Sequence, residues 1–339
     1  EIEVDGKSYK ADNFILATGS VPIALPFLPF DEKRVLSSTG ALALNDVPKT
    51  MVVIGAGAIG VELASVYSRL GTKITIIEML PVVTPAMDPA LSKQLLQSLK
   101  KQGIDFLLEA KVASAKVNDK SVTLKVEHEN NTLTIEAEVV LVCIGRKAFT
   151  EGLNLEAAAV ATNPKGMIAV DANFRTSQSH IYAIGDVIDG PMLAHKASHE
   201  GIAVSEIIAG KTPHLNYMAI PNVVYTHPEV ASVGMTESEA KAAGLDLLIG
   251  TSYFRGNGRA RCSGDFEGFV KVIGDVKSGR LLGMHIIGAH ASELIAEGMV
   301  AIEKKATLVD LASACHAHPT LSETIMEASQ QALGYAIHG

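Results

Sequence analysis

The sequence predicts an α/β fold with a nucleotide-binding βαβ unit at its centre, and three observations support this prediction. An apolar, strand-like run, MVVIG, leads directly into a turn that contains Gly55, Gly57 and Gly60. A helix-length apolar segment follows the turn. A second strand-like run, KITIIE, then ends at the acidic residue Glu78. Strands and helices that alternate in this way form a parallel sheet covered by helices.

Composition narrows the class of protein. The chain has 339 residues, enough for about two or three domains, and 47% of them are hydrophobic. No apolar run approaches the ~18 residues that span a bilayer, so we expect a soluble protein without a membrane partner. The net charge of −8 has no basic stripe, which argues against nucleic acid as a partner. The cysteines, Cys143, Cys262 and Cys315, are widely spaced, which fits a reducing compartment.

The elements up to the end of the βαβ unit follow in order. The stretch EIEVDGKSYK predicts a hairpin around the turn Asp5-Gly6. The stretch NFILAT predicts a buried strand that ends at Thr18-Gly19, and a proline-rich connector follows it. Periodicity then predicts helices over 58–70 and 89–102.

The remaining elements are mostly strands. SVTLKVEH and TLTIEAEVVLVCIG alternate around a polar turn and predict an antiparallel flap added to the parallel sheet. SHIYAIGDV predicts a strand that ends at the turn Gly185-Asp186. Beyond about residue 216, NVVYTH, LDLLIGTSYF, GFVKVIGDV and RLLGMHIIG predict strands. Helices are predicted to start near Thr236, Ser292 and Pro319, the first of them with a capping box.

The glycine turn predicts the cofactor. One glycine allows the tight turn, one lets the backbone approach a pyrophosphate closely, and one permits close packing of helix and strand. Glu78 is placed to hydrogen-bond a ribose 2′-hydroxyl and would repel a 2′-phosphate. The segment between Glu78 and Asp88 contains no Arg or Lys that could neutralise the charge of that phosphate. The sequence therefore favours NAD over NADP.

Two further sites follow from local chemistry. Asp186 could bind cofactor hydroxyls, but an aspartate in a turn also caps its own backbone, so the turn alone decides nothing. Pro319 suits the first position of a helix, which places His318 just before it. Glu323 lies beyond i,i+4 spacing, yet His318 can fold back so that the carboxylate fixes its tautomer and supports it as a general base. His316 is the weaker candidate, since a nucleophilic pair with adjacent Cys315 is disfavoured by geometry. No metal-ligand spacing occurs nearby.

Several motifs together carry a family resemblance. ATGS, GAGAIGVELA, YAIGD, MLAHKA, IPNVVYTHPEVASVG and HAHPTLSE occur in an order that resembles the flavin-dependent pyridine nucleotide-disulfide oxidoreductases. The resemblance covers nearly the whole chain. It implies a Rossmann-type NAD-binding domain inserted in a partial FAD-binding domain, followed by an α+β C-terminal dimerisation domain. The implied segments are 1–37 and 149–216 for FAD, 38–148 for NAD and 217–339 for dimerisation.

The resemblance also implies roles for individual residues. Asp186 matches the aspartate that binds the ribityl chain of FAD, and His318 and Glu323 match the catalytic base and its orienting acid. Glu62 and Gly145 match positions beside the nicotinamide. The remaining matches to cofactor-binding motifs are Thr18, Gly19 and Ala194 for FAD and Gly55, Gly57, Gly60 and Glu78 for NAD.

In the family, the base acts across a homodimer on the redox-active disulfide of the other subunit. That disulfide belongs to a Cys-x4-Cys segment after a first, FAD-binding GxGxxG, and neither feature occurs in these 339 residues. We therefore expect a domain-sized N-terminal piece, roughly a hundred residues or more, to lie outside this chain. We also expect the chain alone to be inactive.

The resemblance is greatest to the family members that oxidise a dihydrolipoyl group. It implies that His318 takes a proton from a dithiol, that the thiolate attacks the disulfide, and that electrons pass through FAD to NAD⁺. The implied partner is the lipoyl domain of the acyltransferase in a 2-oxo acid dehydrogenase complex, or that of the glycine cleavage system. The implied location is the cytoplasm, or the mitochondrial matrix in a eukaryote.

Three alternatives stay open on the sequence. A glutathione-type or mercuric-type reductase would run in the opposite direction, although Glu78 argues against its usual NADPH and no cysteine pair ends the chain. A soluble transhydrogenase would need no disulfide. The chain could also be an NAD-binding and dimerisation module without catalysis.

Overall fold

The computed structural model describes residues 1–338. The strands are, in chain order, β1 (Ile2–Val4), β2 (Lys7–Tyr9), β3 (Phe14–Leu16), β4 (Ser20–Pro22), β5 (Val35–Leu36), β6 (Thr50–Ile54), β7 (Lys73–Ile77), β8 (Asp105–Leu107), β9 (Lys111–Val117), β10 (Val122–His128), β11 (Asn131–Ala137), β12 (Val139–Val142), β13 (Arg146–Ala148), β14 (Ile181–Ala183), β15 (Asn222–Val224), β16 (Glu229–Gly234), β17 (Leu247–Tyr253), β18 (Phe269–Asp275) and β19 (Leu281–Gly288).

The helices are α1 (Ser38–Leu42), α2 (Ala58–Arg69), α3 (Pro89–Lys101), α4 (Ala194–Ile208), α5 (Glu237–Ala242), α6 (Gly258–Ser263), α7 (Ala291–Glu303), α8 (Leu308–Ser313) and α9 (Glu323–Ala332). Short 3-10 turns occupy Gly185–Val187, Tyr217–Ala219 and Phe254–Gly256. In the described part of the chain, no helix combines the length and the apolarity needed to cross a lipid bilayer.

The chain forms two compact units, each built from two separate stretches. The first unit contains Glu1–Ile23 and Gly145–Asn216, and the second contains Ala24–Ile144 and the residues from Tyr217 onward. These limits differ from the predicted segment ends at 37 and 148. The reason is strand pairing, since β5 pairs in parallel with β12 of the second unit, whereas β13 pairs with β4 of the first. The assignment of each segment to a cofactor stays a prediction.

The first unit is built on short strand pairs. The predicted hairpin is confirmed, because β1 and β2 pair antiparallel and Asp5 and Gly6 both have positive φ angles, 50° and 73°. Strands β3 and β14 pair in parallel, which delivers the chain to the Gly185–Val187 turn. Helix α4 and the strands share a small core that includes Tyr182, Val187 and Val204.

The parallel sheet of the second unit has the order β5-β12-β6-β7-β8. Helices α2 and α3 match their predicted limits except at the last residue. The prediction that the flap is added to the parallel sheet is wrong, because β9, β10 and β11 form a separate antiparallel sheet. The long predicted strand breaks at Glu138, whose N–H donates to Thr50 Oγ1 at 2.9 Å and whose carboxylate accepts the Lys49 N–H at 2.9 Å. Beyond this break, β12 runs parallel to β6.

The C-terminal part of the second unit is an antiparallel sheet with the order β15-β16-β19-β18-β17. Its strand β16 was missed, and so were α6 and α8. The predicted capping box is confirmed, since the Thr236 side chain and Glu239 cap each other's backbone. The prediction for Pro319 is wrong: α9 begins at Glu323, and Pro319 lies in a preceding turn closed by a bond from Thr320 Oγ1 to the Ala317 carbonyl at 2.7 Å.

A buried ion network joins the nucleotide-binding part of the second unit to this C-terminal sheet. Lys271 on β18 donates to both oxygens of Asp88 at 3.0 Å and to Glu237 at 2.6 Å. Asp88 is fully buried and also accepts the N–H groups of Ala90 and Glu237. Burial alone would raise the pKa of Asp88, but the electrostatic attraction of His285 together with these donors outweighs it and holds the pKa below its ordinary value.

We expect Lys271→Met to lower the free energy of unfolding by about 3–5 kcal/mol, because it leaves the Asp88 carboxylate buried without its cation. The matched control is Lys241→Met. Lys241 bonds the same Glu237 carboxylate, but its side chain is 63% exposed, so its loss should cost about 0–1 kcal/mol. Urea unfolding at neutral pH measures both.

The pH dependence gives a second check on the same variant. A carboxylate with a depressed native pKa stabilises the fold above its unfolded pKa, and this contribution is lost as the pH falls through the native value. In Lys271→Met, protonation of Asp88 removes the uncompensated charge. The difference in the free energy of unfolding between the wild type and Lys271→Met should therefore become smaller towards pH 4 and below. A gap that widens on acidification would contradict the role given to Asp88.

Candidate functional site

The glycine turn lies between β6 and α2, and each of its glycines has a different surrounding. Gly55 has a φ of 104°, and a Cβ there would collide with the carbonyl oxygen of Cys143. A Cβ at Gly60 would collide with the carbonyl oxygen of Gly55. At Gly57, the N-cap of α2, a Cβ would meet no atom within 4 Å. The first and third glycines therefore serve packing, and the second keeps open a space in front of the helix N-terminus.

Glu78 lies beside this open space. It follows β7, the parallel neighbour of β6, and its carboxylate accepts the Ala56 N–H at 2.7 Å and the Leu80 N–H at 2.8 Å. These bonds fix the carboxylate at the C-terminal edge of the sheet while each oxygen keeps a further lone pair for a hydroxyl. An open, uncapped helix N-terminus with an acceptor beside it fits the pyrophosphate and ribose of NAD.

The two residues matched to the nicotinamide side have different surroundings. Glu62 on α2 accepts the Tyr225 N–H at 2.8 Å. Burial raises the pKa of Glu62 above its ordinary value, although the bond from Tyr225 acts in the opposite direction. Gly145 belongs to the first unit, where it has a φ of 132° and accepts the Ile23 N–H at 3.1 Å.

The first unit brings the residues matched to FAD close to one another. Asp186 Oδ2 accepts a bond from Ser20 Oγ at 2.5 Å, and Arg146 Nε donates to the same Ser20 hydroxyl at 2.7 Å. Thr18 Oγ1 donates to the Phe149 carbonyl at 2.6 Å, so Thr18, Gly19 and β13 are held together. The other Asp186 oxygen has no partner within residues 1–338. A carboxylate with one free oxygen, fixed by a hydroxyl that a guanidinium holds in place, fits the hydroxyls of a ribityl chain.

A buried ion pair holds the backbone of the turn that contains Asp186. It was not predicted from the sequence. Lys196 and Glu200 lie on α4, which begins at Ala194, and their charged atoms are 3.0 Å apart. Glu200 accepts the Gly185 N–H at 2.7 Å, and Lys196 donates to the Gly185 carbonyl at 3.3 Å. The two residues thereby hold both sides of Gly185. Their i,i+4 spacing was the available signal, but that spacing also describes ordinary surface pairs.

The predicted contact between His318 and Glu323 is confirmed. His318 Nδ1 lies 2.9 Å from Glu323 Oε1, and the other oxygen of Glu323 accepts the Thr320 N–H at 2.8 Å. A carboxylate accepts, so Nδ1 donates and Nε2 is the basic nitrogen. The His318 side chain is 78% exposed, and Nε2 has no partner in the described residues. Burial would raise the pKa of Glu323, but the bonds from Thr320 and His318 outweigh it and lower the pKa.

His316, the weaker candidate, has two partners that the sequence did not reveal. Its Nδ1 lies 3.0 Å from the Ala314 carbonyl oxygen and its Nε2 lies 2.8 Å from Glu297 Oε1 on α7. The imidazole is only 8% exposed, in contrast to that of His318. Cys315 is exposed and free, whereas burial raises the pKa of Cys143 to about 12.

Comparison with known proteins agrees with this geometry. The family model "Pyridine nucleotide-disulphide oxidoreductase" matches residues 1–201, and the model of the dimerisation domain of the same family matches residues 220–329. The chain is 48% identical to the mitochondrial dihydrolipoyl dehydrogenase of Schizosaccharomyces pombe, over 99% of this chain and 67% of that protein. It is 45% identical to the mitochondrial dihydrolipoyl dehydrogenase of Pisum sativum, over 99% of this chain and 68% of that protein.

Solved structures of similar proteins have the same fold as this chain. The crystal structure of LpdA from Mycobacterium tuberculosis superposes with a TM-score of 0.89 at 28% sequence identity, covering 95% of this chain and 70% of that one. The flavoprotein disulfide reductase RclA from Escherichia coli superposes with a TM-score of 0.86 at 27% identity, covering 94% of this chain and 73% of that one.

We expect two alanine substitutions in the glycine turn to affect different properties, the stability of the fold in one case and the binding of NADH in the other. Gly60→Ala should lower the free energy of unfolding by about 1–3 kcal/mol, because its methyl group collides with backbone. Gly57→Ala should change stability by less than about 1 kcal/mol. It should nevertheless weaken NADH binding at least about tenfold, because its methyl group fills the space for the pyrophosphate. Thermal unfolding and fluorescence titration with NADH measure the two quantities. Tight NADH binding by Gly57→Ala would exclude this turn as the pyrophosphate site.

Proposed function

Because the chain belongs to the pyridine nucleotide-disulphide oxidoreductase family, we propose that it oxidises a dihydrolipoyl group to the cyclic disulfide and reduces NAD⁺ to NADH. The His318–Glu323 pair carries this proposal. A thiol must lose its proton before its sulfur can attack a disulfide, and a positioned general base removes that proton. His318 Nε2 is basic, exposed and oriented through Nδ1 by Glu323, as such a base has to be.

The residues of this chain contribute proton transfer and positioning. His318 Nε2 accepts the proton of a substrate thiol, and the Glu323 carboxylate stabilises the imidazolium that results. Thr320 fixes the second oxygen of Glu323, so the carboxylate cannot rotate away from the imidazole. FAD and NAD, when bound, supply the path for the electron pair from the dithiol to the nicotinamide.

Both cofactors have residues assigned to them. Gly57 and the N-terminus of α2 hold the pyrophosphate of NAD, Gly55 and Gly60 shape the turn, and Glu78 binds the adenosine ribose. Glu62 and Gly145 are assigned to the nicotinamide because they match the family motifs. On the flavin side, Asp186 binds the ribityl hydroxyls, within a frame that also contains Thr18, Gly19 and Ala194. The proposed FAD segments, 1–37 and 149–216, fall mainly in the first unit, and the proposed NAD and dimerisation segments, 38–148 and 217–339, fall mainly in the second.

The proposed assembly is a homodimer. The match of residues 220–329 to a dimerisation domain supports it. The proposed substrate carrier is the lipoyl domain of a 2-oxo acid dehydrogenase acyltransferase. We place the reaction in the cytoplasm or, in a eukaryote, in the mitochondrial matrix, in line with the mitochondrial relatives.

The direct test is reduction of NAD⁺ by dihydrolipoamide, with protein expressed from the complete gene and saturated with FAD. Turnover with dihydrolipoamide and NAD⁺ supports the proposal. Turnover with glutathione disulfide and NADPH instead would favour a reductase of the opposite direction. Hydride exchange between NADH and NADP⁺ without any dithiol would favour a transhydrogenase. NADH binding and dimerisation without any turnover would favour a binding module.

Selectivity for NAD should depend on Glu78. Its carboxylate lies where a 2′-phosphate would have to be accommodated, so NADH should bind at least about tenfold more tightly than NADPH. Glu78→Arg should reverse or abolish this preference, because a guanidinium attracts the phosphate. Fluorescence titrations with both nucleotides measure it, with Glu109→Arg as a control for added positive charge after the neighbouring strand β8. An unchanged preference in Glu78→Arg would remove Glu78 from this role.

The histidine variants should rank in a fixed order. His318→Gln removes the proton acceptor, so flavin reduction by dihydrolipoamide should slow by ~10²–10⁴-fold while FAD and NAD binding persist. Glu323→Gln should cost less, because an amide oxygen can still accept from Nδ1 although it no longer supports the imidazolium charge. His316→Gln should be the mildest. Rapid-mixing kinetics compares all three. A wild-type rate in His318→Gln would show that the base has been misassigned.

A further inference from the structure

We propose that His316 and Glu297 are positioning residues that hold the His318 loop on α7 and thereby keep the His318 imidazole in register with Glu323. The inference deepens the proposed function, since His318 is the base of that reaction. It rests on a second histidine–carboxylate contact, 2.8 Å between His316 Nε2 and Glu297 Oε1, close in sequence to the first.

The loop between α8 and α9 is held by contacts with several elements. On the α9 side, Glu323 binds both His318 and the Thr320 N–H. On the other side, His316 reaches across to Glu297 on α7. The two histidines are separated by one residue, so a shift of the backbone at His316 moves His318 directly. Asn257, the N-cap of α6, also holds the α9 side of the loop by donating to the Thr320 carbonyl at 2.9 Å. Loss of the contact with α7 would therefore leave the His316 side of the loop less restrained than the α9 side.

Burial separates the roles of the two imidazoles. His316 is 8% exposed and has a partner at each ring nitrogen, so it has no free nitrogen to offer a substrate. Both partners are acceptors, and the two bonds are complete when each nitrogen carries a proton. His318 is 78% exposed and has one free nitrogen. The buried ring is suited to holding the loop, and the exposed ring to accepting a proton.

The chemistry of the side-chain amides allows the two bonds of His316 to be tested separately. The amide nitrogen of asparagine takes the position of Nδ1, and that of glutamine takes the position of Nε2. His316→Asn therefore keeps the bond to the Ala314 carbonyl and loses Glu297. His316→Gln keeps the bond to Glu297 and loses Ala314. If the anchor on α7 is what matters, Gln should substitute for His316 and Asn should not.

The readout is the tautomer of neutral His318. The contact with Glu323 holds the proton on Nδ1, whereas an imidazole free in water favours the Nε2–H form. Nitrogen-15 NMR of histidine-labelled protein reports this ratio, and the His318→Gln spectrum assigns the signal. The measurement needs neither cofactor nor turnover. Loss of the dihydrolipoyl reaction would therefore leave the test of the anchor intact.

We expect His316→Asn and Glu297→Ala each to lower the Nδ1–H to Nε2–H ratio of His318 by about 2- to 10-fold, the effect of one weakened hydrogen bond. The double variant should be no lower than either single variant, because both remove the same contact. His316→Gln should keep the wild-type ratio. So should Glu293→Ala, the matched control, which removes an exposed carboxylate from the first turn of the same helix.

The tautomer ratios of the variants decide whether His316 and Glu297 position His318. A lowered ratio in both anchor variants, with His316→Gln and Glu293→Ala unchanged, supports the proposal. A wild-type ratio in Glu297→Ala overturns it, and so does an equal fall in Glu293→Ala. Glu297 is 30% exposed on a helix, and alanine suits a helix, so this variant should fold even if His316→Asn does not. Circular dichroism of each variant checks the fold.

Discussion

The buried carboxylate of Asp88 imposes the constraint on which the second unit depends. A carboxylate without contact to water needs both a cation and hydrogen-bond donors, and here they come from three different elements. Asp88 ends the loop that starts at Glu78, while Lys271 and Glu237 belong to the C-terminal part. The same two parts also share one hydrophobic core, which contains Leu91 of α3 together with Phe269 of β18. The nucleotide-binding sheet and the sheet that supports the His318 loop are therefore parts of one packed body.

The same logic of charge pairing recurs with different degrees of burial. Lys196 and Glu200 are almost fully buried, and their atoms hold the backbone of Gly185 rather than a ligand. His318 and Glu323 are more exposed, so the carboxylate orients the imidazole without withdrawing it from solvent. Burial thus separates groups that hold the backbone from groups that are available to a substrate. His316 follows this rule, since its lack of exposure excludes it as the base and suits it to anchoring.

Sequence reasoning succeeded where the backbone itself constrains the residue. Gly55 and Gly60 have no room for a side chain, so their spacing revealed the turn, and alternation around Asp5-Gly6 revealed the hairpin. It failed where local chemistry allows two outcomes. Proline suits a turn as well as a first helical position, so Pro319 misplaced the start of α9. The apolar pattern continues through Glu138, and only contacts with Lys49 and Thr50 break the strand there.

Parts of the site were invisible for a related reason. The contact between His318 and Glu323 could be predicted because both residues lie in one short stretch. The partner of His316 could not, since Glu297 lies on another helix and its spacing from His316 carries no periodic signal. Lys196 and Glu200 were visible as an i,i+4 pair, but their burial and their hold on Gly185 depend on how the first unit packs. Tertiary packing, rather than local propensity, supplies this information.

Burial of Cys143 has a consequence for chemical damage. With its pKa raised to about 12, this thiol is almost entirely protonated at neutral pH, and oxidants and alkylating agents attack the thiolate. Its side chain packs against the core cluster that contains Ala56 and Val61, so modification of the sulfur would disturb the packing behind the glycine turn. Cys262 and Cys315 are exposed and would react first. An enzyme that handles thiols under oxidising stress would thus lose its surface cysteines to modification while its nucleotide turn kept its shape.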